Sequence, residues 1–336
     1  ARLCGKYVVW TGRVVLLVLF KTLMIKIFLF FLLVYPTFLF GADEYVGSLS
    51  ISYGLIDIHQ NTNTFIGHDE TPKYKPLTLQ AWLAKRYSNE IDLILKVRVE
   101  EYNGHGQAIR HGFVPDDSPD LSIEIDTGII KKYDDYSLET GIKFLRSRTT
   151  EAESETQFKL QYDHRSALGI YFNGALDIDE SNTFMATVGF VGNQRHYSAE
   201  NIDGISYLQL LHNYKLNKKF DLMVSYLKFR GYFRDIKSSG RIRRDNGADV
   251  DKTRVLLSYS MPKYSLGLSF DKYVIRNKEN GATRNKNDGA DDNGDALLFN
   301  LSIPFGSSLI NDRQKLMIEH KPNIAFSEAI LSGPAE

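Results

Sequence analysis

Charged side chains occupy alternate positions in residues 90–100, EIDLILKVRVE. Asp92, Lys96, Arg98 and Glu100 share one parity, and apolar residues fill the other, with Ile94 as the single exception to the alternation. Successive side chains of a β-strand point to opposite faces, so acids and bases come together on one face. Such a face can form ion pairs and can set the local electric field. The stretch predicts a strand with one ionic face and one apolar face.

One short motif contains residue types that a hydrolase uses. The sequence DHRS at positions 163–166 combines Asp163, His164 and Ser166, which could serve as orienting acid, base and nucleophile. Adjacent residues at a strand end point in different directions, and the motif is typical of a turn. We therefore predict a turn here and no catalytic residue.

Two loop sequences collect oxygen ligands of the kind that calcium prefers. They are DNGADVD at 245–251 and NDGADDNGD at 287–295. Neither has the spacing of an EF-hand, and such clusters are common in solvated turns. The only cysteine, Cys4, lies near the N-terminus. We therefore predict plain loop tips, and neither a metal site nor a cofactor.

The N-terminal region has the pattern of a secretory signal. Residues 24–42, MIKIFLFFLLVYPTFLFGA, place a lysine before an apolar run and end on small residues. Residues 1–23 would then be an upstream extension. The alternative is a retained membrane helix within 14–40, but Lys21, Lys26 and Pro36 interrupt it. We predict an exported chain that is cleaved near Ala42.

The charge balance argues against a nucleic-acid partner. The chain has 41 basic and 41 acidic residues, and the predicted signal and extension contain five of the basic ones and no acid, which leaves 36 against 41. Nucleic-acid binding needs a basic surface. No further apolar run is long enough for a membrane helix. If the exported chain enters a membrane, it must do so as a closed β-barrel.

Alternating segments recur along the rest of the chain, and most are near the ten residues that a tilted membrane strand needs. Thirteen such segments are found: Val46–Asp57, Leu77–Arg86, 90–100, Leu121–Ile129, Tyr136–Leu145, Thr156–Tyr162, Leu168–Leu176, Phe184–Phe190, Ile205–Leu216, Phe220–Arg230, Arg254–Met261, Tyr264–Val274 and Asp295–Phe305.

Short and long connections alternate between these segments. Short turns are predicted at 88–90, 133–135, 163–166, 217–219 and 262–263, and long polar loops at 58–73, 102–119, 231–251 and 276–294. Barrels of the outer membrane have short periplasmic turns and long outer loops, and an even number of strands. Thirteen is odd, and the turn at 217–219 is out of phase, so twelve or fourteen strands are predicted. We favour twelve, because segments 168–176 and 184–190 are weak and their link is brief.

The chain resembles Gram-negative outer-membrane β-barrel proteins, specifically porin-like channels, over residues 43–305. The signal-like residues 24–42, the alternating strands and a closing strand ALLFNLSIPF that ends on Phe305 carry this resemblance. Many family members end their chain on such an aromatic residue, which the insertion machinery recognises, whereas this chain continues through residues 306–336. The remainder is either a periplasmic tail or a closing strand, KLMIEHKPNIAF, that ends on Phe326.

The resemblance implies an all-β, transmembrane, antiparallel up-and-down barrel in the bacterial outer membrane. It would act as a channel for passive diffusion of small hydrophilic solutes or ions. Both signs of charge are found at inward positions, so weak selectivity is expected. The predicted pore-lining residues are Asp92, Lys96, Arg98, Glu100, Glu124, Asp126, Glu139, Lys143, Lys159, Arg254 and Asp271.

The expected partners are outer-membrane lipid and lipopolysaccharide, the insertion machinery, small solutes and, as in many porins, further copies of the chain. Residues 240–245, GRIRRD, could contact lipopolysaccharide phosphates or simply be solvated. Two alternatives stay open: an outer-membrane lipid hydrolase, for which no His/Ser/Asn phospholipase motif is found, and a non-catalytic surface or adhesion barrel.

Overall fold

The computed structural model describes residues 45–59, 73–105, 120–151, 161–193, 200–236, 242–243, 247–278, 292–306 and 310–324. The predicted signal peptide and Lys159 lie outside these residues. So do the central parts of the predicted long loops.

Twelve long strands form one closed antiparallel barrel. Each strand pairs with its neighbours in the chain, and the last strand pairs with the first, Val46 opposite Gly306. A two-residue strand, β10 (Ile242–Arg243), extends β9 by a short pairing and is not part of the ring. The ring consists of β1 (Tyr45–His59), β2 (Lys73–Arg86), β3 (Ile91–His105), β4 (Asp120–Lys132), β5 (Tyr136–Glu151), β6 (Gln161–Asp177), β7 (Asn182–Asn193), β8 (Glu200–Lys215), β9 (Phe220–Ile236), β11 (Gly247–Ser260), β12 (Ser265–Lys278) and β13 (Asp292–Gly306).

The alternation of the sequence separates the two faces of the wall. On β6, Leu168, Ile170 and Phe172 point outward and are 46%, 56% and 55% exposed. The intervening Tyr171 is 0% exposed. An outward apolar band of this kind is typical of barrels that span a membrane, because lipid rather than water surrounds it. The predicted all-β, up-and-down barrel is confirmed.

The predicted number of twelve strands is correct, but the reason for preferring it was wrong. The two segments considered weak, 168–176 and 184–190, lie within β6 and β7. The extra segment was Thr156–Tyr162: its last two residues begin β6, and residues 156–160 lie outside the described part. The predicted turn DHRS at 163–166 is also wrong, because these residues continue β6. The misleading feature was that β6 continues beyond the apolar band as a polar stretch.

The short turns all lie at one rim, together with the start of β1 and the end of β13, as an even-stranded barrel requires. The turn that sequence reasoning placed at 163–166 is found at 178–181, between β6 and β7. Parts of the other predicted loop tips are also strands: residues 247–251 begin β11 and residues 292–295 begin β13.

The carboxylate of Asp179 organises this turn. It accepts hydrogen bonds from the backbone N–H groups of Ser181 at 2.7 Å and Asn182 at 2.8 Å. Asp179 lies outside the spanning strands, and the hydrogen bond from Ser181 is the largest cause of a pKa below the ordinary value. Because the carboxyl pKa is lower in the folded turn, the ionised carboxylate stabilises the turn at pH values above the pKa of the unfolded chain. This stabilisation is lost as the pH falls through the pKa of the folded turn.

We therefore expect the Asp179 carboxyl to titrate below the ordinary aspartate midpoint of about 3.9. The carboxyl carbon shift of the protein in micelles, followed by NMR, measures this directly. Protection of the Ser181 amide from exchange should fall in the same pH range. A midpoint for Asp179 at or above 3.9 would contradict the expectation.

The chain turns inward after the closing strand. Helix α1 (Asp312–Glu319) begins with a capping box, in which the Asn311 side chain accepts from the N–H of Gln314 and the Gln314 side chain accepts from the N–H of Asn311. Residues 320–324 follow without regular structure. We call residues 310–324 the lumen segment, because their side chains and backbone contact inward-facing residues of β2 to β6.

The alternatives for the C-terminal tail are thereby corrected over residues 310–324. The predicted closing strand at Asp295–Phe305 is part of β13. Residues 315–319, which the other alternative assigned to a closing strand, are helical, and Phe326 lies outside the described residues. A tail that hangs free of the barrel does not describe residues 310–324 either. No helix in the described ranges has the length and apolar character needed to cross a membrane.

Candidate functional site

The predicted pore-lining residues that the structure describes all face the barrel interior. Arg254 keeps 28% of its side chain exposed, whereas the others are buried, at most 6% exposed. Lys159 is not among the described residues. The buried members are Asp92, Lys96, Arg98, Glu100, Glu124, Asp126, Glu139, Lys143 and Asp271.

Strand register brings the charges of β3, β4 and β5 into direct contact. Arg98 lies opposite Glu124, and Asp126 lies opposite Lys143. Glu124 forms ion pairs with Arg98 at 2.9 Å and with Lys143 at 2.5 Å, and Lys143 also reaches Asp126 at 2.6 Å. Opposed pairs on one face are the stabilising unit of a sheet, so these charges are mutually satisfied.

A second charged cluster lies on β11 and β12. Arg254 is directly opposite Asp271 and binds it through two nitrogen atoms, at 2.6 and 2.7 Å. Lys252 lies 2.8 Å from the same carboxylate, which also accepts from the Tyr273 hydroxyl at 3.2 Å. Arg254 is the more exposed member, so of this cluster it is the residue best placed to meet a solute.

The interior also has an apolar wall that sequence reasoning missed. Strands β8 and β9 carry apolar residues on both faces, a signal that is present in the sequence. Strands that are apolar on both faces are expected to be buried on both. The inward members on β6 to β9 are Tyr171, Val191, Ile205, Tyr207, Leu211, Met223, Leu227 and Phe229.

The lumen segment begins at the rim of the short turns. The guanidinium of Arg313 donates to the carbonyl oxygens of Tyr133 and Asp134, at 2.9 and 3.2 Å. It also forms an ion pair with Asp177 at 2.6 Å and donates to the Ser137 hydroxyl at 3.1 Å. These contacts fasten the start of α1 to the ends of β4, β5 and β6.

From this rim the lumen segment follows the inward face of β3. Successive inward residues of that strand contact successive residues of the segment, and the basic side chains donate to backbone carbonyl oxygens, 2.9 Å for Lys96 and Ile318. The contacts pair Asp92 with Gln314, Lys96 with Ile318 and Glu319, Arg98 with Lys321 and Pro322, and Glu100 with Asn323.

The other side of the lumen segment packs on apolar residues. Leu316 and Met317 join a buried cluster that includes Met185, Leu211 and Met223. Ile318 packs with Trp82, Ile94 and Ile130, and Ile324 packs with residues of the wall formed by β6 to β9. Leu316, Met317 and Ile324 thus pack toward β6 to β9, whereas Ile318 packs on β2 to β4, beside the polar contacts with β3.

The end of the segment inserts a charge into the wall. Lys321 forms an ion pair with Glu139 and donates to the hydroxyl of Tyr171 at 2.9 Å. Nearby, the backbone N–H of Ile324 donates to Glu124 at 3.0 Å. Sequence reasoning could nominate Glu139 from its inward parity, but the partner Lys321 is far away in the chain.

Several solved structures are similar to this chain. The COG4313 outer membrane channel from Pseudomonas putida F1 is similar with a TM-score of 0.57 and 10% identity, and the match covers 79% of this chain and 97% of that chain. The NanC porin gives 0.43 and 11%, covering 76% and 98%, and a Pseudomonas aeruginosa FadL homologue gives 0.42 and 11%, covering 79% and 90%. No protein-family model matches the sequence, and no curated protein matches it.

The similarity to the COG4313 channel, at 10% sequence identity, is evidence for a shared fold alone. The chain therefore has the closed, twelve-stranded fold of outer-membrane channels, which confirms the predicted resemblance at the level of architecture. Within the described ranges no group of His, Cys, Asp or Glu residues is arranged to hold a metal ion. The side chains of Asp163, His164 and Arg165 in the DHRS motif lie outside the described set.

Proposed function

We propose that the protein is an outer-membrane channel for passive diffusion of small hydrophilic solutes or ions. The observation that carries the proposal is a closed barrel whose interior presents many charged side chains, although a lipid-facing band surrounds it. Buried charges are costly in a protein that needs only a core, so their presence inside the wall favours a lumen that can admit water and solutes.

Weak selectivity is part of the proposal, and it is supported by the balance of charge. Carboxylates and basic groups are both numerous among the inward residues that the structure describes, so no single sign dominates the field along this part of the lumen. The acidic set is Asp92, Glu100, Glu124, Asp126, Glu139 and Asp271, and the basic set is Lys96, Arg98, Lys132, Lys143, Lys252 and Arg254.

The lumen segment must leave its place before solutes can pass along the charged wall. Lys96, Asp126 and Lys143 are each 1% exposed, so water does not reach them while the segment is present. We therefore propose two conformations: a closed one with residues 310–324 inside the barrel, and an open one in which the contacts with β3 are broken. The oligomeric state, contacts with lipopolysaccharide and recognition by the insertion machinery stay predictions.

A cross-link between the wall and the segment tests this proposal. The side-chain ends of Asp92 and Gln314 are in contact at 2.8 Å, so cysteines at both positions can be joined by a short, reducible thiol cross-linker. In the chain from residue 43 onward no other cysteine is present. In a planar bilayer we expect the joined form to give no steps and the reduced form to give discrete, long-lived steps with weak selectivity.

The two single-cysteine variants, treated in the same way, are the controls for the loss of the native side chains. Steps that persist after complete cross-linking would mean that solutes pass the segment without displacing it. Verified insertion of the reduced form without steps in any salt gradient would overturn the channel itself.

Arg254→Gln should also shift the reversal potential toward cations, since it removes one accessible positive charge.

A further inference from the structure

The ammonium group of Lys321 lies in an enclosed site on the barrel wall. It forms an ion pair with Glu139 and donates to the hydroxyl of Tyr171 at 2.9 Å. It also lies 4.6 Å from the centroid of the Tyr171 ring, within the range of a cation–π interaction. The Lys321 and Glu139 side chains are 1% and 0% exposed. A carboxylate, a phenol and an aromatic face therefore surround one cation.

The wall itself prepares this site. The Tyr171 hydroxyl donates to Glu139 Oε1 at 2.6 Å, and Asn173 Nδ2 donates to Glu139 Oε2 at 3.2 Å. Gly128 and Gly141 make room for the Tyr171 ring, because a Cβ at Gly128 would lie only 2.6 Å from the hydroxyl and one at Gly141 would collide with the ring. All these residues belong to β4, β5 and β6, so the site stays with the barrel when the lumen segment leaves.

The surroundings of the site are apolar on one side. Tyr171 belongs to a buried cluster with Leu145, Val191 and Tyr207, and Ile324 of the lumen segment completes it. A ligand that replaces the end of the segment therefore meets a carboxylate at one end and hydrocarbon at the other. Polar groups that fix orientation inside a largely apolar surface are the usual composition of a small-molecule site.

We propose that Glu139 and Tyr171 form a binding site for the primary ammonium group of a small amphiphilic solute, and that Lys321 fills this site in the closed conformation. The inference rests on the proposed function, because a solute reaches the site only after the lumen segment has left. A primary ammonium group is specified because the bound cation donates hydrogen bonds to both Glu139 and Tyr171.

Chemical rescue of the full chain tests the site without any measurement of conductance. Lys321→Ala removes three carbon atoms and the ammonium group of the lysine side chain, which together correspond to n-propylammonium. Glu139 and Tyr171 are kept. We expect n-propylammonium to raise the unfolding midpoint of this variant by roughly 2–4 °C at ten times its dissociation constant. Affinity should rise about fourfold per methylene from methyl- to propylammonium, since each methylene is buried. Trp82, the only tryptophan after residue 42, reports unfolding through its fluorescence.

Three controls separate recognition of ammonium from general effects. Propanol has the same hydrocarbon chain without the charge, and tetramethylammonium has the charge without a donor, so neither should raise the midpoint. Glu139→Gln in the Lys321→Ala background should abolish the effect of n-propylammonium. Absence of rescue in a folded Lys321→Ala barrel, or equal rescue by the control compounds, would overturn the site. If the variant does not refold alone, recovery of folded barrel in n-propylammonium supports the site and no recovery overturns it.

Bilayer recordings connect the site to the solute and keep the two proposals apart. In the unmodified chain n-propylammonium should produce brief current blocks that Glu139→Gln removes. Rescue without any channel steps would support the binding site but overturn the proposal of a channel. Channel steps without rescue would support the channel and overturn the binding site. Rescue and channel steps without current blocks would mean that the site binds only the Lys321 side chain, which would overturn its role in binding solutes.

Discussion

Lys321→Glu is expected to shift the protein from a mostly closed to a mostly open channel. The substitution places a second carboxylate against Glu139, which is 0% exposed at its side chain, and removes the donor to Tyr171. Breaking a buried ion pair costs roughly 3–5 kcal/mol, and here the lumen segment can escape this cost by leaving the barrel. That energy corresponds to a change of roughly two to three and a half orders of magnitude in the ratio of closed to open protein.

Two measurements follow the displacement independently. The open probability in a planar bilayer should rise, and the emission of Trp82 should change, because its indole N–H donates to Glu319 at 3.3 Å only while the segment is inside. Lys315→Glu makes the same change of charge in α1 at a residue that is only partly buried, and it is the matched control. Equal open probabilities for the two variants would contradict the role of the Lys321 ion pair in closure.

The fold was largely predictable because its signals are local. Alternation such as that of residues 90–100 needs only the period of a strand, and the short turns at 88–90 and 133–135 fix the up-and-down order. The error at 163–166 arose because β6 extends beyond the apolar band into a polar stretch that looks like a turn. Regular strand pairing continues there although the burial pattern that identifies strands has ended.

The site was predictable only in part, because it depends on contacts between residues far apart in the chain. Inward parity was enough to nominate Glu124 and Glu139. The capping box of Asn311 and Gln314 is a local signal that could have identified α1. Nothing local, however, indicates that this helix lies inside the barrel. That position depends on contacts between distant residues, such as the ion pair of Lys321 with a wall residue, Glu139, about half the chain away.

Glu124→Ala is expected to destabilise the whole barrel by roughly 3–5 kcal/mol, whether the segment is inside or not. Glu124 is 2% exposed and is the shared partner of Arg98, Lys143 and the Ile324 N–H. Its removal takes the shared carboxylate on β4 from Arg98 on β3 and Lys143 on β5, and of these two buried cations Lys143 keeps Asp126 as an ion-pair partner. Unlike Lys321, neither cation can leave the wall, so the cost falls on strand pairing rather than on closure.

Urea unfolding of the refolded protein, followed by Trp82 fluorescence, measures this loss. Glu180→Ala removes an exposed carboxylate from the β6–β7 turn and should change the free energy of unfolding by less than about 0.5 kcal/mol. Because Arg98 and Glu124 are in contact, Arg98→Ala combined with Glu124→Ala should cost less than the two single changes together, by about 0.5–3 kcal/mol. Additive costs would mean that the two residues stabilise the barrel independently, and that the charges opposed by strand register are not the unit that holds the wall together.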